Sequence, residues 1–270
     1  MEQNPPKASE VGSAALEDLR NNFGLVQQIT FPVIPILIVL GAADAVAAKY
    51  FTDASGHPEF GYYVFMIVYT LLTAWASVHY VMRWHLFSLT GSVEYKGGWL
   101  NPDTKYNSFF YKTLIIQAIV FATIMLPVFL MVVAPVIGLM VFIPLVFAGV
   151  YSGCRLSFIL PATVLGHTPT IPQIWDFARG MVGKTIWAPI AATWKYIVAM
   201  FVYLFIIGFF VGFTSNGEPL SLIGDIFIFL FTTLPALLAG ILFCLVYVGG
   251  LSRYYQWGLE NRTDAYGDYK

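Results

Sequence analysis

Charge is what this sequence has least of. Charged residues fill 11% of its 270 positions, where about a quarter is usual in a soluble globular domain. With 58% hydrophobic residues and a mean hydropathy of +0.72, lipid is the expected solvent for most of the chain. The net charge of -1, its cations scattered over loops, excludes the concentrated basic face that a nucleic-acid partner requires. Cysteine is nearly absent: Cys154 and Cys244 lie in apolar surroundings and read as buried thiols, not as a disulfide or metal pair. Histidine is as scarce. His79 and His85 diverge by about 240° around a helix, so one helix cannot aim both at one metal. His57 and His167 fall in loops, and no second span offers a histidine at matching depth to ligate haem. The chain has no His-Glu-x-x-His, no Gly-rich phosphate loop and no Gly-x-Ser-x-Gly elbow. These gaps leave no catalytic residue to name and no cofactor to expect.

No cleavable signal peptide is expected either, because Met1 to Arg20 is polar and carries Glu2, Glu10, Glu17 and Asp18. The first apolar run is therefore expected to direct insertion.

What the chain has in quantity is apolar runs of about 20 residues, the length that crosses roughly 30 Å of hydrocarbon. Six stand out, at 27–49, 61–82, 109–131, 134–153, 188–213 and 223–250. The third and fourth are expected to form a tight hairpin around Val133 to Pro135, since one helix over 109–153 would be about 65 Å long. Pro32, Pro35, Pro127, Pro144, Pro189 and Pro235 lie in or near these runs, where kinks for packing are expected.

The cations sort on this frame. Lys7 and Arg20 precede the first run; Arg83, Lys96, Lys105 and Lys112 lie around the second and third; Arg155, Arg179, Lys184 and Lys195 around the fourth and fifth; Arg253, Arg262 and Lys270 follow the sixth. Only Lys49 falls on the other side. Six spans with both termini cytoplasmic satisfy the positive-inside rule at every turn. The expected organisation is an all-α polytopic membrane bundle: a cytoplasmic segment 1–24 with a short interfacial helix, a six-span domain 25–251 and a cytoplasmic tail 252–270. Its location is expected to be a bacterial inner membrane.

Two segments carry interfacial signatures. From Thr170, an N-cap, the run Pro172 to Trp187 places Ile174, Phe177, Ala178, Met181 and Val182 on one stripe, with Trp175 and Trp187 at headgroup depth. Ser13 to Phe23 repeats this on a smaller scale through Leu16, Leu19 and Phe23. Each even-numbered span also ends in an arginine followed by aromatic or apolar residues, at Arg83-Trp84-His85, Arg155-Leu156-Ser157 and Arg253-Tyr254-Tyr255. Three hairpins of one plan, or three unrelated snorkelling arginines, would give this pattern.

The stretch Arg155-Leu156-Ser157-Phe158-Ile159-Leu160-Pro161-Ala162, then Ile174-Trp175-Asp176-Phe177-Ala178-Arg179-Gly180 and Trp187, resembles bacterial six-span proteins related to the membrane domain of glycerophosphodiester phosphodiesterases. Trp84-His85-x-x-x-Leu89 is similar to another mark of that group. The resemblance covers roughly residues 80–190 and implies topology more than activity, because the hydrolytic site of those enzymes belongs to a soluble domain that this sequence lacks.

Asp44 is the intramembrane ionisable residue with the best claim to function, although a turn from Lys49 it also reads as an interfacial carboxylate. Gln27, Gln28 and Gln117 are candidates for interhelical hydrogen bonds worth about 1 kcal/mol. Arg83, Trp84, His85, Arg155, Trp175, Phe177, Arg179, Trp187 and Arg253 are the candidate interfacial or partner-contact residues. Two functions follow: a noncatalytic scaffold or accessory subunit, partnered by lipid and another membrane protein or a second copy of itself, or a small transporter or channel for a lipid, hydrophobic solute or cation.

Overall fold

In a computed structural model, residues 4–51, 59–95, 100–215 and 229–262 are described. Lys96, His57, Asp225 and Lys270, and the expected outer loops, fall largely or wholly outside these ranges. Among the described residues every regular element is helical: α1 Ala8–Asn21, α2 Phe23–Thr30, α3 Ile34–Tyr50, α4 Phe60–Thr90, α5 Thr104–Val133, α6 Pro135–Leu156, α7 Ile159–Val164, α8 Ile171–Phe177, α9 Val182–Ser215 and α10 Leu234–Asn261, with a π turn at Phe229–Thr233 leading into α10. Five helical stretches are long and apolar enough to cross a membrane, and the pair Phe23–Thr30 with Ile34–Asp44, bent by 54°, passes the same test when its two parts are taken together, as a broken span or a re-entrant loop, so the chain has five or six. The chain is an all-α, multi-pass membrane protein.

Local chemistry places the breaks. Between α2 and α3 lies Pro32, which has no N–H to donate, and Pro35 opens α3 within its first two positions, where a missing N–H costs nothing. Pro135 starts α6, and the residue before a proline is pushed out of the helical region; Ala134 accordingly sits at φ -143° and ψ 79°, and the chain reverses there into the expected hairpin. The Asp103 carboxylate caps α5 by accepting from the Tyr106 N–H at 2.7 Å.

The buried core is not spread along the spans but gathered at their cationic end. One cluster joins Phe158, Ile174, Phe177, Met181, Leu251, Tyr254 and Tyr255; a second joins Ala15, Leu19, Ile29, Tyr80, Trp84 and Leu245; a third joins Met82, Tyr106, Phe109 and Leu160. Each large side chain so buried contributes roughly 1.5–3 kcal/mol. Away from this platform the helices present apolar side chains outward: of the most apolar 18-residue stretches, 6% is buried within the chain for α5 and for α9, against 39% for α10.

Three expectations change here. The surface helix expected over Pro172–Trp187 is two pieces, α8 and the start of α9, because Gly180 turns the chain at φ +75°, a conformation that side chains with a Cβ rarely adopt. Its stripe is also covered by protein, since Ile174, Phe177, Ala178, Met181 and Val182 are all buried inside the first cluster. Likewise α1 buries Val11, Gly12, Ala15 and Leu19, while Phe23 lies outside it and is exposed. Finally, α4 and α10 do not stop at Arg83 and Arg253 but run on to Thr90 and Asn261, so the expected tail begins as core, with Ser252, Tyr254 and Tyr255 fully buried.

Candidate functional site

The last turns of α4 and α10 run side by side and form the centre of the platform. His85 is fully buried against the Phe109 ring, and its Nδ1 lies 2.7 Å from the Ser252 hydroxyl. That hydroxyl donates to the Val248 carbonyl at 3.0 Å. The hydrogen-bond network therefore assigns the ring proton to Nδ1 and leaves Nε2 a shielded acceptor with no partner among the described residues. One turn further on, the Gln256 amide donates to the Leu89 carbonyl at 3.0 Å. Trp84, fully buried, packs beside Phe87 with its Nε1 unpartnered among the described residues.

Each of the three arginines has a different partner. Arg83 donates to the Tyr95 carbonyl at 3.4 Å, in the segment just after α4. Arg155, buried, donates through Nε to the Trp175 carbonyl at 2.6 Å and through Nη1 to the Tyr151 hydroxyl at 3.0 Å. Arg253 pairs with Asp18 of α1 at 2.6 Å. These differences favour three separate anchoring arginines over hairpins of one plan. Tyr95, which holds Arg83 through its carbonyl, directs its hydroxyl to Asp103; burial, then the Asp103 carboxylate, keeps that hydroxyl protonated far above the usual tyrosine range.

Around this centre the remaining cations tie the short helices down. Lys105 donates to the Val164 carbonyl at 3.0 Å and Lys112 to the Thr163 hydroxyl at 2.8 Å, both fastening α7 to α5. Arg262 donates to the Phe177 carbonyl at 2.6 Å, fastening the end of α8 to the end of α10. Phe177 itself packs between Tyr255 and Phe158, with ring centroids 5.1 Å and 6.0 Å away. His167 reaches the Tyr255 hydroxyl at 3.0 Å. Arg179 and Trp187 point outward and are exposed, the two members of the expected contact set that the fold leaves free on the surface.

The expected intramembrane polar set is not brought together. Gln28 and Gln117 are exposed, Gln27 is half-buried, and none of the three side chains has a hydrogen bond to a described residue. Asp44 is half-buried, with its Oδ1 shielded and unpartnered among the described residues; the Lys49 side chain lies outside them. Cys154 and Cys244 are free thiols, and no group of three or more His, Cys, Asp or Glu among the described residues converges to hold a metal.

Ala178 to Thr185 reads Ala-Arg-Gly-Met-Val-Gly-Lys-Thr, the spacing of a phosphate loop with Ala for its first Gly. The fold uses it otherwise. It joins two helices instead of following a strand, Lys184 donates to the Pro5 carbonyl and the Thr185 hydroxyl to the Met181 carbonyl at 3.0 Å. Sequence reading also missed the Asp18–Arg253, His85–Ser252 and Ser157–Tyr247 pairs, the last at 2.9 Å. Only Asp18, an acid on an otherwise small-residue helix face, gave a signal.

These features define an integral membrane protein whose spans rise from a folded platform of short helices. Comparison with protein-family models, with curated proteins and with solved structures gives no match. The resemblance to membrane domains of glycerophosphodiester phosphodiesterases rests on its motifs alone.

Proposed function

We propose that this chain is a noncatalytic scaffold or accessory subunit of a membrane complex, seated in a bacterial inner membrane with the platform and both termini in the cytoplasm. Gln117 carries the reading. It lies five residues past Lys112, about 8 Å further along α5, within a helix whose most apolar stretch has mean hydropathy 2.5. Its amide is exposed on a face shared with Phe121, Val128 and other outward apolar side chains. An amide held among lipid tails without a partner costs about 2–7 kcal/mol, a cost that a polar group on a neighbouring spanning chain removes. The orientation rests on the cations gathered at one end.

A photo-crosslinking amino acid at position 117, activated in intact cells, tests this. A discrete adduct with a second polypeptide, together with weaker copurification of that polypeptide with Gln117→Leu, is the expected result. Adducts with lipid alone and unchanged copurification would refute the accessory role; an adduct with a second copy of this chain would replace it with a homo-oligomer.

Transport is the second reading, favoured by the Asp44 carboxylate oxygen that is shielded and unpartnered among the described residues. Under the accessory reading Asp44→Asn leaves assembly and function unchanged. A folded Asp44→Asn protein that keeps its partners but loses a measurable solute or proton flux would favour transport.

A further inference from the structure

A groove of about 970 Å³ opens between α1, α9 and α10, lined by apolar side chains that include Leu19, Phe23, Met200, Leu204, Pro235 and Leu242. Polar latches bound it at both ends. At the platform end the Arg20 guanidinium, exposed, donates to the Tyr196 hydroxyl; at the far end the Tyr203 hydroxyl donates to the Phe231 carbonyl at 2.7 Å, joining α9 to the turn before α10.

The dimensions and the charge select an occupant. Trp194, Lys195 and Tyr196 follow one another on α9 beside Arg20, a combination that marks the headgroup level of a bilayer. From there the groove follows α10 between Val246 and Pro235, about 16 Å at the helical rise, which is close to half of the ~30 Å hydrocarbon layer. An apolar slot one leaflet deep, with Arg20 the one cation among its described lining residues and set at its headgroup end, is complementary to an amphiphile with one anionic end. A partner helix would require neither the arginine at one end nor the closure at the other. Of the five guanidinium N–H groups of Arg20, the Tyr196 bond uses one, so donors remain for a phosphate.

We propose that this groove binds one anionic glycerophospholipid of the leaflet on the platform side, its phosphate at Arg20 and Tyr196 and one acyl chain along α9 and α10. The site is independent of the accessory role, since it lies on other helices than the Gln117 face. Gly240 provides a clean plug: it lines the groove, and a Cβ there meets no atom within 4 Å, so a larger side chain enters the lipid volume without disturbing the packing.

The full chain, delipidated in a mild maltoside detergent, can be titrated with dioleoyl-phosphatidylglycerol or with dioleoyl-phosphatidylcholine and read by native mass spectrometry. The wild-type chain should retain one phosphatidylglycerol under conditions that strip phosphatidylcholine. Gly240→Phe should abolish that retention, and Arg20→Gln should weaken it about tenfold or more, as expected for loss of a charge-assisted hydrogen bond. Arg20→Lys should restore part of it. Equal retention of the two lipids by the wild-type chain, or phosphatidylglycerol retention unchanged in both Gly240→Phe and Arg20→Gln, would overturn the site. If Gly240→Phe lowers the melting temperature, Leu204→Trp replaces it as the plug, with the same two outcomes.

Discussion

The Arg155 guanidinium lies 4.3 Å from the centroid of the Trp175 ring while its Nε donates to the carbonyl of that same residue at 2.6 Å. One side chain thus holds both the backbone and the ring of α8 against the end of α6. A lysine at this position keeps the charge but loses the planar fork that makes the two contacts at once.

Arg155→Lys is therefore expected to destabilise the chain by about 1–3 kcal/mol, the range for a hydrogen bond from a charged donor together with a cation–π contact. Thermal unfolding in detergent measures the loss. Hydrogen exchange should locate it in α8, with α5 unaffected; uniform loss of protection would contradict the clamp.

Gly12 is where α1 touches α9 backbone to backbone: a Cβ added there would lie 2.0 Å from the Ala188 carbonyl oxygen. Gly12→Ala must push the helices apart and is expected to cost about 1–3 kcal/mol, seen as early exchange of the α1 amides. Gly24, with nothing within 4 Å of its added Cβ, is the control. Gly24→Ala should be neutral or stabilising by about 0.4–1 kcal/mol, provided the helical backbone stays as it is.

The spans and their breaks were legible in the sequence because lipid demands contiguous apolar residues, and because Pro32, Pro35 and Pro135 act locally. The platform was not. An amphipathic stripe such as Ile174, Phe177 and Met181 says that one face is buried without saying whether lipid or protein buries it. The docking face of α1 was hidden for a related reason: Val11, Gly12 and Ala15 are small, and their value lies in letting Ala188 come close, which hydropathy does not record. Arg155 and Arg253 were legible as anchors, but Trp175 and Asp18 as their partners depend on the tertiary fold.

Ser252→Ala should leave the buried His85 Nδ1 without its acceptor and cost about 1–3 kcal/mol. The double variant His85→Leu with Ser252→Ala removes both polar groups and should recover a large part of that loss. Chemical or thermal denaturation of the four proteins in the cycle reports the coupling; additive losses would show that the pair is energetically silent.

Cysteines introduced at Gly56 and Asn216 should react with an impermeant thiol reagent in intact cells, while those at Lys7 and Tyr266 should react only after permeabilisation. The cation distribution requires this pattern. The reverse pattern would invert the protein in its membrane.

The seating of α1 also sets an order of events during synthesis. The helix precedes every span, yet its contacts are with α9 and α10, and Asp18 is separated from Arg253 by 235 positions. At 5–20 residues per second the ribosome takes roughly 10–50 s to make that interval. Until α9 is made, Gly12 lacks the Ala188 backbone it packs against, and until the end of that interval Asp18 lacks its Arg253 partner. The segment made first is fastened last, and its docking marks the moment when the whole chain has been inserted.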